Sequence, residues 1–152
     1  MEAALTLTSG AIVRGWFFLS FSRATQSGPE RVADLLNSET GFFPFELAAD
    51  SPPARGTVLY NRSQVVVVTL VEGAFEAQLD PGYAVAPEHE VRMLLSTGRT
   101  VDGRLRVYCP AGRDRLSDST RAAEMFRYVE TETATVIVNS AHIVELRETN
   151  QA

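Results

Sequence analysis

The sequence predicts a mainly β protein of two tandem small β-barrels, each with a short helix between its second and third strands. Three observations carry that prediction. The first is an internal repeat: Leu5, Leu7, Gly10, Val13 and Gly15 match Met93, Leu95, Gly98, Val101 and Gly103 at a constant offset. Arg31, Val32 and Asp34 then match Arg115, Leu116 and Asp118, and Val58, Asn61, Val65 and Val66 match Val136, Asn139, Ile143 and Val144. The offset shrinks from about 88 to about 84 to about 78, so loops differ in length while ordered blocks keep their spacing. The second observation is period-two alternation broken by glycine-bearing turns at Ser9-Gly10 and Thr97-Gly98, the pattern of a β-hairpin. The third is Gly15 and Gly103, at matching places inside the second strand of each copy, where a glycine marks a bulge or sharp bend that lets a short sheet coil on itself.

Each element has its own justification. Leu5 to Thr8 and Ile12 to Ser22 form the opening hairpin. Ser27 to Asn37 reads as about two turns of helix, with a capping residue, Pro29 in the first turn, Glu30, apolar Val32, Leu35 and Leu36, and Asn37 at the end. Phe43 to Leu47, Thr57 to Tyr60 and Gln64 to Val71 follow as strands, with a turn at Asn61-Arg62-Ser63. In the second copy the order is Val91 to Leu95, Thr100 to Cys109, a short helix or turn from Arg113, Phe126 to Val129, Thr135 to Val138 and His142 to Leu146. The units are therefore 4–71 and 91–147. Between them, 72–90 is a linker rich in turn residues, and Phe75, Leu79 and Tyr83 place it against the body. Val65 to Val68 is apolar on both alternating faces, so that strand should be covered twice, by its own core and by the other copy or a second subunit. Asn61 and Asn139 read as turn residues that tolerate the left-handed conformation.

The chain has 152 residues, 45% of them apolar, and a formal charge of −5. Two copies of this size lie near the lower limit for independent folding and should pack on one another. All 14 basic residues are arginine, which reads first as the coding bias of a GC-rich genome. One cysteine, Cys109, excludes an intramolecular disulfide and suits a cytoplasmic location; beside Pro110 it reads as a partly buried structural thiol. The first residues lack the basic flank of a signal peptide, and the longest apolar stretch, Val65 to Val71, is far too short to span a bilayer.

The hairpin from Val91 through Met93, Leu95, Gly98, Val101 and Gly103 to Leu105 resembles the opening of an Sm-like small barrel. The ending Val136-Ile137-Val138-Asn139 to Ile143-Val144-Glu145-Leu146 is similar to that fold's last two strands, joined by a tight turn. The doubled pattern also resembles uncharacterised bacterial proteins. Sm-like proteins carry an Asp-x-x-x-Asn-type signature for RNA, and Asp34-Leu35-Leu36-Asn37 is loosely similar; the second copy has Asp118-Ser119-Thr120-Arg121 there. An Sm-like helix precedes the first strand, whereas here it follows the second.

The search for chemistry is mostly negative. His89 falls in the linker and His142 at a strand start, without a Cys or acidic cluster at metal-ligand spacing, so both read as solvated and no metal or cofactor is expected. No phosphate-cradling loop or nucleophile elbow occurs, so an enzyme is not expected. The Arg-x-x-Asp motif occurs twice, as Arg31 with Asp34 and Arg115 with Asp118. At helical spacing it is either a brace from helix to barrel or, at Arg113, Arg115 and Asp118, part of a recognition loop. Seven of the 14 arginines lie between Arg99 and Arg127, and Arg104, Arg106 and Tyr108 alternate on one strand face that could accept a phosphate or stack a base. Overall acidity argues against non-specific nucleic-acid binding. The expected function is a non-enzymatic protein-interaction or scaffold module with an unidentified protein partner, self-association through Val65 to Val68 being one form of it. An Sm-like nucleic-acid-binding protein is the alternative.

Overall fold

Glycine turns start both halves of the chain. In the computed structural model, which describes residues 1–19, 30–50, 56–71, 87–106 and 125–149, Gly10 and Gly98 sit at φ 86° and 87°, a left-handed geometry that only glycine adopts without strain. They join β1 (Glu2–Leu7) to β2 (Ile12–Phe17) and β6 (Glu88–Leu95) to β7 (Thr100–Arg106). The two hairpins share a register, Leu5 opposite Val13 and Met93 opposite Val101. The other elements are α1 (Val32–Asn37), β3 (Phe42–Leu47), β4 (Gly56–Asn61), β5 (Val65–Leu70), β8 (Phe126–Glu130), β9 (Thr135–Asn139) and β10 (Ile143–Glu148).

The strands form one open antiparallel sheet in the order β10-β6-β7-β8-β9-β5-β1-β2-β3-β4. Its two halves run in the same sense: β5-β1-β2-β3-β4 is matched, strand for strand, by β10-β6-β7-β8-β9. Both even carry the same irregularity, a register shift that leaves Val66 and Val144 unpaired against β1 and β6. Matching sequence blocks suggest halves related by a two-fold axis, but a two-fold would bring β4 against β10. Among the described residues those strands are instead the two outer edges, so the relation is head to tail.

Both edges of β5 are occupied within the chain, by β1 and by β9, which pairs Val138, Ile137 and Val136 with Val67, Val68 and Thr69. Val65 to Val68 are fully buried, each contributing about 1.5–3 kcal/mol relative to exposure. The first core covers Val65 and Val68, the second cover comes from the other half through Val66 and Val67, and both edges of the strand are taken within the chain. Side chains cross at this junction in both directions. Phe126, Tyr128 and Ile137 join the first core, around Leu5, Leu36, Phe43 and Phe45. Val66 and Val67 join the second, around Val91, Met93, Leu95 and Val138.

Gly15 and Gly103 are required by close approach to the neighbouring strand. A Cβ on Gly15 would lie 1.9 Å from the Glu46 carbonyl oxygen, and one on Gly103 would lie 2.6 Å from Val129 Cγ1 and 2.7 Å from the Glu130 carbonyl oxygen. β6 begins at Glu88, three residues before the expected second unit, because Glu88 and Glu90 pair with Arg106 and Arg104 of β7 and extend the hairpin. The remainder of the expected linker, 72–86, lies outside the described residues, as does the expected second helix or turn from Arg113.

A helix between β2 and β3 is present but starts at Val32, with extended Arg31 as its N-cap, so Glu30 precedes it and is not in its first turn. Arg31 and Asp34 do pair, the Asp34 carboxylate accepting from Arg31 N, Nε and Nη2 at 3.0, 3.0 and 3.1 Å, and these bonds close the helix's first turn. Arg62 ties the helix to the sheet. The residue is 3% exposed, and its guanidinium donates to the carbonyls of Leu36, Leu35 and Phe42 at 3.2, 3.0 and 2.8 Å and lies over the Phe43 ring. Two of these acceptors are helix carbonyls left without intrahelical partners. Burial pushes the Arg62 pKa down, and Glu39 at 3.7 Å opposes that shift. The turn asparagines also differ from expectation. Asn61 and Asn139 are extended, at φ −78° and −76°, and each uses its side-chain oxygen to accept from the backbone two residues on, Ser63 N and Ala141 N. An Asx turn does the work assigned to left-handed geometry.

Candidate functional site

β7 presents Arg104 and Arg106 between two acidic strands. Strand pairing sets Glu88 opposite Arg106 and Glu130 opposite Arg104. All four charges consequently interlock: Arg104 with Glu88 at 3.6 Å and Glu130 at 3.9 Å, Arg106 with Glu88 at 3.0 Å and Glu130 at 3.5 Å. Arg106, 21% exposed, is the more enclosed of the two, and Arg104 is 47% exposed. Nearby, Arg92 pairs with Asp102 at 2.7 Å, which raises the already high Arg92 pKa through the hydrogen bond and charge of Asp102. Around Gly103 lies a cleft of about 650 Å³ whose charged lining is Glu90, Asp102, Arg104, Glu130 and Glu132. Carboxylates outnumber guanidiniums there, so the local field does not favour an anion.

Of the residues singled out by sequence, the structure brings Arg104 and Arg106 together. Tyr108, Arg113, Arg115 and Asp118 lie outside the described residues, as does Cys109. The two histidines are engaged. His89 Nδ1 meets Glu148 Oε1 at 3.0 Å across the β6–β10 pair. His142 Nε2 reaches the Ser63 carbonyl at 2.7 Å while Nδ1 meets Ser96 Oγ at 3.0 Å, so its ring stitches the two halves together. Among the described residues no group of three or more His, Cys, Asp or Glu side chains is placed to hold a metal ion, and no helix is long and apolar enough to cross a membrane.

The surface that sequence reasoning missed lies on β2, β3 and β4. By strand alternation, Trp16, Phe42, Pro44 and Leu59 point away from the first core, which takes Phe17, Phe43 and Phe45. Pro44 sits opposite Leu59. Phe42 is 61%, Leu59 62% and Trp16 41% exposed, beside the edge of β4 that is open among the described residues. The signal was available: Val58, Leu59 and Tyr60 are apolar on both alternating faces, as are the valines of β5. No family model, curated protein or solved structure matches the chain.

Proposed function

We propose that the chain is a non-enzymatic protein-interaction or scaffold module, cytoplasmic, built from two tandem Sm-like small barrels. The observation that supports this most is the outward row of Phe42, Pro44 and Leu59 along a strand edge that no described strand pairs. Large apolar side chains grouped on a surface are the usual mark of a protein contact, and a free edge adds backbone donors and acceptors to it. Nucleic-acid binding has less support. Arg104 and Arg106, which would have to meet phosphate, are already paired with Glu88 and Glu130. Asn37, the Asn of the RNA-like signature, spends its side-chain amide on the Phe126 backbone, donating to its carbonyl and accepting from its N–H, both at 2.9 Å.

A photo-crosslinking residue at Phe42 and another at Asp102, introduced separately in the native host, test the reading. Protein adducts concentrated at position 42 are the expected result, together with no salt-dependent binding of single-stranded RNA by the purified chain. Adducts to RNA, or protein adducts equally frequent from both positions, would overturn it.

A further inference from the structure

The junction between β9 and β5 is a contact whose two sides each occur a second time in the same chain, unused. Matching strand for strand, β9 corresponds to β4 and β5 to β10, and among the described residues β4 and β10 are the two open edges. The side chains correspond as well. In β8 and β9, Phe126 pairs with Asn139 and Tyr128 with Ile137; in β3 and β4, Phe42 pairs with Asn61 and Pro44 with Leu59. Phe126, Tyr128 and Ile137 are the residues that dock into the first core, at 1%, 7% and 0% exposure, whereas their counterparts Phe42 and Leu59 are 61% and 62% exposed. On the receiving side, Val66 is fully buried and its counterpart Val144 is 67% exposed.

From this we infer that copies of the chain assemble head to tail, β4 of one copy pairing antiparallel with β10 of the next as β9 pairs with β5. The inference deepens the interaction-module reading and rests on it. Transposing the internal register sets Leu59 opposite Leu146, Tyr60 opposite Glu145 and Val58 opposite Arg147 of the next copy. Polar groups have matching roles. Asn139 Nδ2 donates across the internal junction to the carbonyls of Val65 and Arg62 at 2.9 and 3.4 Å. Asn61 Nδ2 has no acceptor among the described residues, and in the assembly it falls against the carbonyls of Ile143 and Ser140. Gln64 holds the place of His142 and falls against the carbonyl of Ala141. β4 carries no charged residue and so lacks the usual protection of an exposed edge. The new contact replaces valine and threonine of β5 with Glu145 and Arg147, so it is weaker than the internal junction and depends on concentration. A contact between unlike surfaces leaves a free edge of each kind at the ends, so assembly continues until a ring closes or a filament forms.

Leu59→Arg blocks the β4 side and Val144→Arg the β10 side, both at exposed positions, so each variant should keep the parent's circular dichroism spectrum and melting temperature. Sedimentation velocity of the full chain over a wide concentration range should show the parent growing beyond a monomer and each variant alone remaining a monomer. An equimolar mixture should form a one-to-one heterodimer, because the Leu59→Arg chain still offers β10 and the Val144→Arg chain still offers β4. A parent monomeric at every concentration, a variant that still self-associates, or a mixture that stays monomeric would each overturn the inference. Should Leu59→Arg fail to fold, Phe42→Arg blocks the same side. If the parent is monomeric while position 42 still crosslinks to another protein, the interaction module stands and self-assembly falls. RNA adducts alone would remove the module reading itself.

Discussion

β9 reads Thr135-Val136-Ile137-Val138-Asn139 and β4 closes on Thr57-Val58-Leu59-Tyr60-Asn61, yet every residue of β9 is buried while Leu59 is 62% exposed. Nearly the same strand lies at the centre of the molecule in one half and at its rim in the other. Burial here is set by what a strand has for a neighbour, which depends on its place in the sheet order. The pattern of the strand itself fixes only which face turns to its own core. The comparison also separates groups shared by both halves, such as the Asx turns, from those found in one, such as Arg62, and several substitutions sharpen that separation.

The largest difference should come from the residue after each turn asparagine. Arg62→Ala strands the carbonyls of Leu36 and Phe42, leaves that of Leu35 with the Ser38 hydroxyl as its donor, and should cost about 3–5 kcal/mol in denaturant melts. The matching Ser140→Ala removes a buried hydroxyl that has no hydrogen-bond partner, and should leave stability within about 0.5 kcal/mol of the parent. Equal losses would mean that the helix is not held through Arg62.

Next come the two glycines. Gly15→Ala drives a Cβ into a backbone carbonyl and should cost about 2–4 kcal/mol. Gly103→Ala first meets a valine methyl that can turn aside, although the Glu130 carbonyl is also near, so about 1–2 kcal/mol is expected. Thermal melts that reverse this order would show that β2 and β7 approach their neighbours differently.

A smaller contrast separates the two asparagines. Asn139→Ala loses the turn bond and the bonds across the junction from a fully buried site, about 1.5–3 kcal/mol. Asn61→Ala loses only the exposed turn bonds, about 0.5–1 kcal/mol, when measured at concentrations that keep the chain monomeric.

The smallest effect concerns alkaline pH. Tyr60 stands where the second half has Val138, and burial raises its pKa above the usual 10.0. Above pH 10 the unfolded chain releases that proton while the folded chain retains it, so stability present below this range falls as pH rises through it. Tyr60→Phe should flatten the alkaline limb of the stability profile, whereas a change at Val138 should leave it as steep as in the parent.

Much of the fold was legible because it rests on local chemistry. Glycine turns, two-residue alternation and the double cover of Val65 to Val68 are properties of short segments, and the helix was visible from Val32, Leu35 and Leu36. What was not legible depends on partners far apart in the chain. Arg62 in a turn looks like a solvated residue until the carbonyls of Leu35 and Leu36 are placed beside it. Glu88 and Glu90 look like linker until they pair with Arg106 and Arg104. The same pairing changes the reading of the candidate site: two arginines on one strand face suggest an anion site, and the carboxylates that occupy them come from two other strands.

The sheet order also decides which strand edges wait for later residues during synthesis. β5 closes the first half against β1 as soon as residues up to Leu70 are available, but the strand that covers its other edge, β9, begins only at Thr135. At about 5–20 residues per second, the nascent first half exposes Val66, Val67 and the free edge of β5 for on the order of 3–13 s. Any second copy of the chain that reaches the first half in that interval competes with β9 for the edge of β5.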